Sequence, residues 1–380
     1  MRICAVACVK DSHEILAMSI KHLALNGIED FYIYDHGSEP AMSSFLPLAF
    51  PSDSIRLWIL RKDTPGFFQQ EMAYALTQLA LQDGFDVSLA FDADEFWCST
   101  VEGHSLAHQI QLELASGIDA LRIPVINYAQ HTDVEDFHDD ALLECKYSVV
   151  PHVDPTRHPR DQVEAGIPFV AMPFLSKVIA RLSRGIQYTE GQHDIIKAEG
   201  QARIVPAAGI TVRHLPLPSR NHVKLKREHG RRRISAGYSA ETGWQAQSLA
   251  YKTDEELDAY WENNSWRSAE GRPAMIGAYG GLVRDDGLVE IGQRLAQGAA
   301  GGSPMAFTEI SAARLERVIE QLVDYAGRSE RKIESIALER DRAITMGRSA
   351  RNVFRDLFRL LKPMEKRLRT FRKACLGQPR

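Results

Sequence analysis

Four short apolar runs in the first 92 residues constrain this chain more than any other feature. They are ICAVACV (3–9), DFYIYD (30–35), IRLWIL (55–60) and VSLAFD (87–92). A continuous apolar run with β-branched residues reads as a strand buried on both faces, which is how parallel strands read. Between the runs the spacing turns helical: Leu16, Ile20 and Leu23 lead to Gly27, a natural helix stop, and Gln69–Gln82 forms a second helical stretch. Strands alternating with helices predict βαβ units, a parallel sheet and helices on both faces.

Open sheets of this kind bind ligands beyond the carboxyl ends of their strands. Here those ends are Lys10-Asp11, Asp35-His36-Gly37-Ser38 and Asp92-Ala93-Asp94, and a parallel sheet brings them to one rim. Asp11-Ser12-His13-Glu14 reads as a capping box with Asp11 at the N-cap. LRIPVIN (121–127), VAMPFLSKVIAR (170–181) and ARIVPAAGITVRHL (202–215) predict later strands. From residue 221 the pattern is helical and charged, residues 254–262 predict a short helix, and QGAAGGSP (297–304) is a linker. Leu315, Ile319, Leu322, Ala326, Ser329, Ile333 and Ile336 then step at helical spacing, a long helix with coiled-coil character. No internal repeat is present.

Composition narrows the classes. At 44% hydrophobic and 25% charged the chain is globular. No apolar run reaches the ~18 residues a spanning helix needs. The five cysteines are scattered, with no C-x-x-C pair, which argues against a zinc site or a disulfide framework and suits a reducing cytosol. MRICAVACVK is charged too early to read as a signal peptide. Residues 346–380 carry 11 Lys/Arg against 2 Asp/Glu, leaving 35 against 48 elsewhere, so a +9 tail follows a −13 body. Within the tail, residues 351–373 set an apolar face against Lys and Arg, with Pro363 interrupting. An interfacial helix on an anionic bilayer reads this way, and so does a helix packed on the body or one continuing a self-association segment at 312–338. Nucleic acid is disfavoured by the acidic body and by the lack of a basic platform interleaved with aromatics.

The chemistry concentrates in LAFDADEF (89–96). Residues two apart in a strand share a side, so Asp92 and Asp94 can face one hard cation across the small Ala93. Mg²⁺ and Mn²⁺ favour such oxygen ligands and keep positions for substrate phosphates. A D-x-D is weak alone, since an Asx-turn with surface charge looks the same; its place after a fourth alternating strand strengthens it. Glu95 falls off the shared face.

ACVKDSHEILAMSIKHLALNGIEDFYIYDHGSEP (7–40), LAFDADEF (89–96), KVIAR (177–181), GQH (191–193) and HLPLPSRNHVKLKREHG (214–230) together resemble the glycosyltransferase family 2 superfamily, in its glycosyltransferase-like branch. The resemblance spans about residues 1–245 and implies an α/β GT-A fold, a Rossmann-like, mostly parallel sheet flanked by helices, followed by a C-terminal helical extension. Together with the linker and the helical spacing beyond it, it divides the chain into a GT-A domain (1–245), a helical segment with linker (246–300) and a long helix with a basic amphipathic tail (301–380). It further implies a nucleoside diphosphate sugar donor, expected to be UDP-linked, transfer with inversion, and Mn²⁺ or Mg²⁺ held by Asp92 and Asp94. His193 or His214 would complete the metal or diphosphate site. Asp11, Glu14 and Asp35 would border the nucleoside, and Lys177 and Arg181 would approach the diphosphate or pair with acids. Asp133, Glu135, Asp136 and Glu190 are candidates for the base that takes the acceptor's proton. The acceptor would be a glycan or a lipid-linked sugar, with the protein in the cytoplasm at the inner face of the plasma membrane. Two departures stand out: His36 replaces the family's Asn, and GYSAETGWQ (237–245), with Trp244, matches only loosely.

Two other readings remain open. A nucleotidyltransferase also holds metal with carboxylates, but it wants a glycine-rich first loop, and Val9-Lys10-Asp11-Ser12 has no glycine. A non-catalytic, membrane-bound scaffold would not need the Asp92/Asp94 pair.

Overall fold

The computed structural model describes residues 1–50, 55–63, 69–114, 116–152, 154, 156–184, 186–197, 201–235, 248–268, 275–277, 281–297, 307–311 and 313–320. The chain begins β1 (Ile3–Val9), α1 (His13–Leu25), β2 (Asp30–Asp35), α2 (Met42–Ala49), β3 (Arg56–Arg61), α3 (Gln69–Gln82), β4 (Val87–Ala90), β5 (Glu95–Ser99) and α4 (Leu106–Glu113). It continues through β6 (Ala120–Ile123), β7 (Val125–Ala129), β8 (Tyr147–Val149), α5 (Pro159–Glu164), β9 (Lys177–Arg181), β10 (Ile186–Tyr188) and β11 (Ile195–Lys197). Then come β12 (Ile204–Pro206), β13 (Ile210–His214), α6 (Arg220–Ser235), α7 (Asp254–Asn264), β14 (Trp266–Arg267), β15 (Met275–Ile276), β16 (Leu282–Arg284), α8 (Gly287–Gln297) and β17 (Phe307–Glu309).

Among the described residues eight strands form the main sheet, in the order β12-β6-β9-β4-β1-β2-β3-β17. β1 alternates between its two faces. Ile3, Ala5, Ala7 and Val9 join a core with Leu16, Ile20 and Phe31, whereas Cys4, Val6 and Cys8 join one with Tyr34, Met72 and Leu76 of the opposite side. Burial on both faces is why this strand is a continuous apolar run. The helix-stop reading at Gly27 holds: its φ is +84°, and the Ile28 amide reaches back to the Leu23 carbonyl at 3.0 Å.

The architecture is α/β, but the sheets are mixed rather than mostly parallel. β9 runs antiparallel to both β4 and β6. A second sheet, β16-β8-β7-β13-β5, has antiparallel neighbours except for the parallel β7–β13 pair. Apolar periodicity records burial, not chain direction, so it could not foresee the reversal. Two predicted strands also divide. LRIPVIN breaks at Pro124 into β6 of the first sheet and β7 of the second, and the 202–215 run breaks after Pro206 into β12 and β13. Proline cannot donate to a ladder, so the chain changes sheets there. Of VAMPFLSKVIAR only Lys177–Arg181 is strand, and Phe169–Ala171 is a 3₁₀ turn.

Capping also differs from expectation. α1 starts at His13 with Ser12 at its N-cap and no side-chain cap, while Asp11 takes a left-handed backbone (φ 50°). A capping box does exist, at Thr253 and Glu256 of α7. β17 pairs in parallel with β3, and Leu315 and Ile319 are buried against the α3 side of the main core. These first positions of the expected self-association stretch therefore pack on the body. Residues 321–338, the 351–373 tail and Trp244 lie outside the described residues. Among the described residues no helix is long and apolar enough to cross a membrane. Cys4, Cys8, Cys98 and Cys145 are free thiols.

Candidate active site

The D-x-D lies where the chain leaves the main sheet for the second one, between β4 and β5. Three contacts fix that joint. Ser19 of α1 donates its hydroxyl to the Ala93 carbonyl at 2.7 Å, the Glu95 amide reaches the Asp92 carbonyl at 3.1 Å, and the Leu215 amide reaches the Asp94 carbonyl at 2.9 Å. A cleft of about 750 Å³ opens there, lined by the carboxyl end of β1, by Asp92–Glu95, by Phe174–Leu175 and by residues of α6 from His222 to Ser235.

The two aspartates have different company. Lys177, the first residue of β9, places its ammonium 2.7 Å from Asp92 Oδ2, 2.7 Å from Glu95 Oε1 and 3.3 Å from Gln192 Oε1. Gln69 donates to Asp92 Oδ1 at 3.1 Å, and the Asp92 amide donates to Glu95 Oε2 at 3.2 Å. Glu95 and Lys177 are buried, with side chains 1% and 5% exposed. Burial pushes the Glu95 carboxyl up against the pull of Lys177; burial would lower the Lys177 amine, yet Asp92 and Glu95 outweigh it and keep the ammonium charged.

Asp94 instead faces His214 Nε2 at 3.6 Å and Lys226 Nζ at 3.9 Å. Burial would raise its carboxyl, but the His214 imidazole and the Lys226 ammonium hold it well below the usual carboxylate range. The tautomer of His214 is set one shell out. Asn127 donates its amide to the carbonyls of Val170 at 3.1 Å and Met172 at 3.2 Å, so its Oδ1 is left to accept from His214 Nδ1 at 3.0 Å. Nε2 is then the ring nitrogen left to face Asp94, as an N–H toward the bare carboxylate or as a lone pair toward a cation held there. The Phe174 ring packs edge-on at 4.8 Å and holds the imidazole in place. His193 is oriented the same way, its Nδ1 donating to the Ser176 carbonyl at 3.2 Å, and burial together with Lys177 favours its neutral form. Its ring sits where a Cβ on Gly191 would come within 2.7 Å, so glycine is required there for space as well as for its φ of +72°.

Of the residues expected to form the site, Asp92, Asp94, Lys177, His193 and His214 line this one cleft. Asp11 stands beside it between the lining residues Lys10 and Ser12, with Oδ2 3.4 Å from His229 and Oδ1 accepting from the Glu39 amide. Although burial opposes it, these partners hold the Asp11 carboxyl down to about 2. The others are elsewhere. Asp35 is fully buried and organises its own loop, accepting from the amides of Ser38 (2.7 Å) and Met42 (3.0 Å); His36 lines the cleft instead. Glu14 is exposed in the first turn of α1 and does not line the cleft.

Arg181 shares a face with Lys177 but stands at the far end of β9, where it donates to the carbonyls of Leu114 (2.6 Å) and Ile118 (3.0 Å). Four residues of strand separate the two by ~13 Å, so a shared face is not a shared site. Asp133 lies 3.7 Å from His131, and Glu135 pairs with Arg220 (3.3 Å) and Lys224 (3.5 Å); neither lines the cleft, and nor does Asp136, which accepts from Asn221. Glu190 is exposed, 3.8 Å from the lining residue Arg233.

α6 belongs to the site, although its sequence suggested only a charged helix. His222, Lys226, His229 and Arg233 recur at steps of four, three and four, which is one helical face, and all four line the cleft. That periodicity was legible. The roles of Gln69 and Asn127 were not, because nothing local marks them.

The chain matches no protein-family model and no curated protein.

The donor set can be tested against a divalent cation on chemistry alone. Among the described residues no three His, Cys, Asp or Glu side chains are placed to hold one ion. Asp94 and His214 supply a carboxylate oxygen and an imidazole nitrogen facing each other. Two protein donors suit Mg²⁺ or Mn²⁺ when substrate phosphates complete the shell. The residues present therefore fit an ion that arrives with a phosphorylated substrate.

Proposed function

We propose that this protein is a metal-dependent glycosyltransferase of the GT-A type, moving a sugar from a nucleoside diphosphate to an acceptor hydroxyl. The observation that carries the reading is the pairing of Asp94 with the Nε2 of an Asn127-oriented His214, in a cleft at the carboxyl ends of β1 and β4. Breaking a sugar–phosphate bond leaves a diphosphate that gains negative charge, so cations must face the place where that charge develops. Lys226, Arg231 and Arg232 of α6 line the same cleft. A divalent cation held by Asp94 and His214 would neutralise the same leaving group. Lys177 is spent on Asp92 and Glu95, so the cationic duty toward the diphosphate moves to α6.

The acceptor's proton needs a carboxylate on the cleft wall. Apart from Asp92, Asp94 and Glu95, the acids lining it are Asp63 and Glu228, and these replace Asp133 and Glu135 as candidates. Glu190 keeps a place at the edge through Arg233. The donor expected is UDP-linked, the acceptor a glycan or lipid-linked sugar, and transfer inverting.

Release of nucleoside diphosphate from a panel of UDP- and GDP-sugars, with and without Mn²⁺, tests the reading. Metal-dependent release from one nucleotide class, lost in Asp94→Asn, is the expected result. Release of pyrophosphate from a nucleoside triphosphate instead would favour nucleotidyl transfer. No turnover of any donor would leave the scaffold reading.

A further inference from the structure

Lys177 carries three N–H bonds, and the structure provides three acceptors for them: Asp92 Oδ2, Glu95 Oε1 and Gln192 Oε1. Gln192 reaches its position through a left-handed backbone (φ 56°), unusual for a side-chain-bearing residue and therefore held in place by its surroundings. Asp92 has one oxygen on this ammonium and the other on Gln69. The two acids that share a cation thus share one supplied by the chain itself.

We propose that Lys177 is a built-in counter-cation that takes a metal's place at Asp92 and Glu95 and confines a divalent ion to Asp94 and His214. The proposal rests on the metal-dependent reading above only for the ion at Asp94. Three features argue for this role over a phosphate ligand. The ammonium is buried, its three donors are engaged, and its partners close around it from two segments, Asp92–Glu95 and the turn at Gln192. Asp92 still has lone pairs for a substrate hydroxyl, but its charge is already matched. The D-x-D is accordingly an unequal pair: one acid is anchored to β9, and the other is open to a cation that comes and goes. Lys177 is a positioning residue in this account, since it acts through Asp92.

The test uses full-length protein and Mn²⁺ alone, with free Mn²⁺ read by electron paramagnetic resonance. Asp94→Asn should weaken Mn²⁺ binding by about tenfold or more, and Asp92→Asn should leave it within about twofold, because affinity follows the charge of the ligands actually engaged. Lys177→Met frees two carboxylates, so it should bind Mn²⁺ about tenfold more tightly and gain more in melting temperature from Mn²⁺ than the wild type does. Equal weakening by Asp92→Asn and Asp94→Asn would overturn the proposal, and so would a folded Lys177→Met that binds Mn²⁺ no more tightly. If Lys177→Met unfolds, refolding with Mn²⁺ but not without it supports the proposal, and failure in both overturns it. The expected Mn²⁺ pattern without turnover of any nucleotide sugar would leave the counter-cation standing and remove the glycosyltransferase reading.

Discussion

Asp92 and Asp94 are two residues apart and border one cleft, yet they are held in opposite ways. Asp92 sits 2.7 Å from a buried ammonium on β9, and Asp94 sits 3.6 and 3.9 Å from an imidazole and an ammonium on β13 and α6. The first contact is a closed network with partners for each donor. The second is too long for hydrogen bonds and leaves room for a ligand atom between. Spacing along the chain brings both acids to the cleft; partners from distant segments decide what each one does there.

The comparison breaks most visibly at Lys177. Lys177→Met strands Glu95 in the core, and losing one partner of a buried ion pair costs about 3–5 kcal/mol. Urea unfolding without added metal should show that loss. A change under about 1 kcal/mol would mean that the network is not closed. On the other side, Asn127→Leu removes the acceptor that sets the His214 tautomer. Mn²⁺ affinity should then fall about 10- to 100-fold, as it does when a partner behind a ligand is removed. Unchanged affinity would dismiss His214 as a donor.

A smaller effect lies in acid. Asp11 is depressed to about 2 in the folded protein, against about 3.9 for a free aspartate. Its contribution is therefore complete above about pH 4 and lost as the pH falls toward 2, since the unfolded chain takes up its proton first. An Asp11→Asn variant should show a shallower loss of stability over that window; an identical acid profile would mean that the His229 contact does not hold Asp11 ionised. The smallest effect belongs to Glu135, exposed and paired on the surface. Glu135→Gln should change stability by about 1 kcal/mol or less and leave donor turnover unchanged. A large loss of turnover would return Glu135 to the list of candidate bases.

Much of the first 100 residues could be read directly. Strands buried on both faces leave continuous apolar runs, so β1 to β4 and the emergence of Asp92 and Asp94 followed from local pattern. After residue 120 the chain moves between two sheets at Pro124 and between Pro206 and Ile210, and a periodicity that sees burial alone merges what belongs apart. The site divides along the same line. Asp94 and His214 were nameable because their residue types announce metal chemistry. Asn127, Gln69 and the Lys177–Glu95 pair depend on contacts across 23 to 87 positions of chain, which no local window contains. Arg181 shows the converse error: strand geometry correctly put it on the Lys177 face, and the length of the strand carried it out of reach.

The most direct test of the account is the melting temperature of wild type and Asp94→Asn with UDP or GDP, each with and without Mn²⁺. The account predicts that one nucleotide stabilises the wild type only when Mn²⁺ is present, and that Asp94→Asn loses that stabilisation. Equal stabilisation of both proteins, or stabilisation indifferent to Mn²⁺, would contradict it.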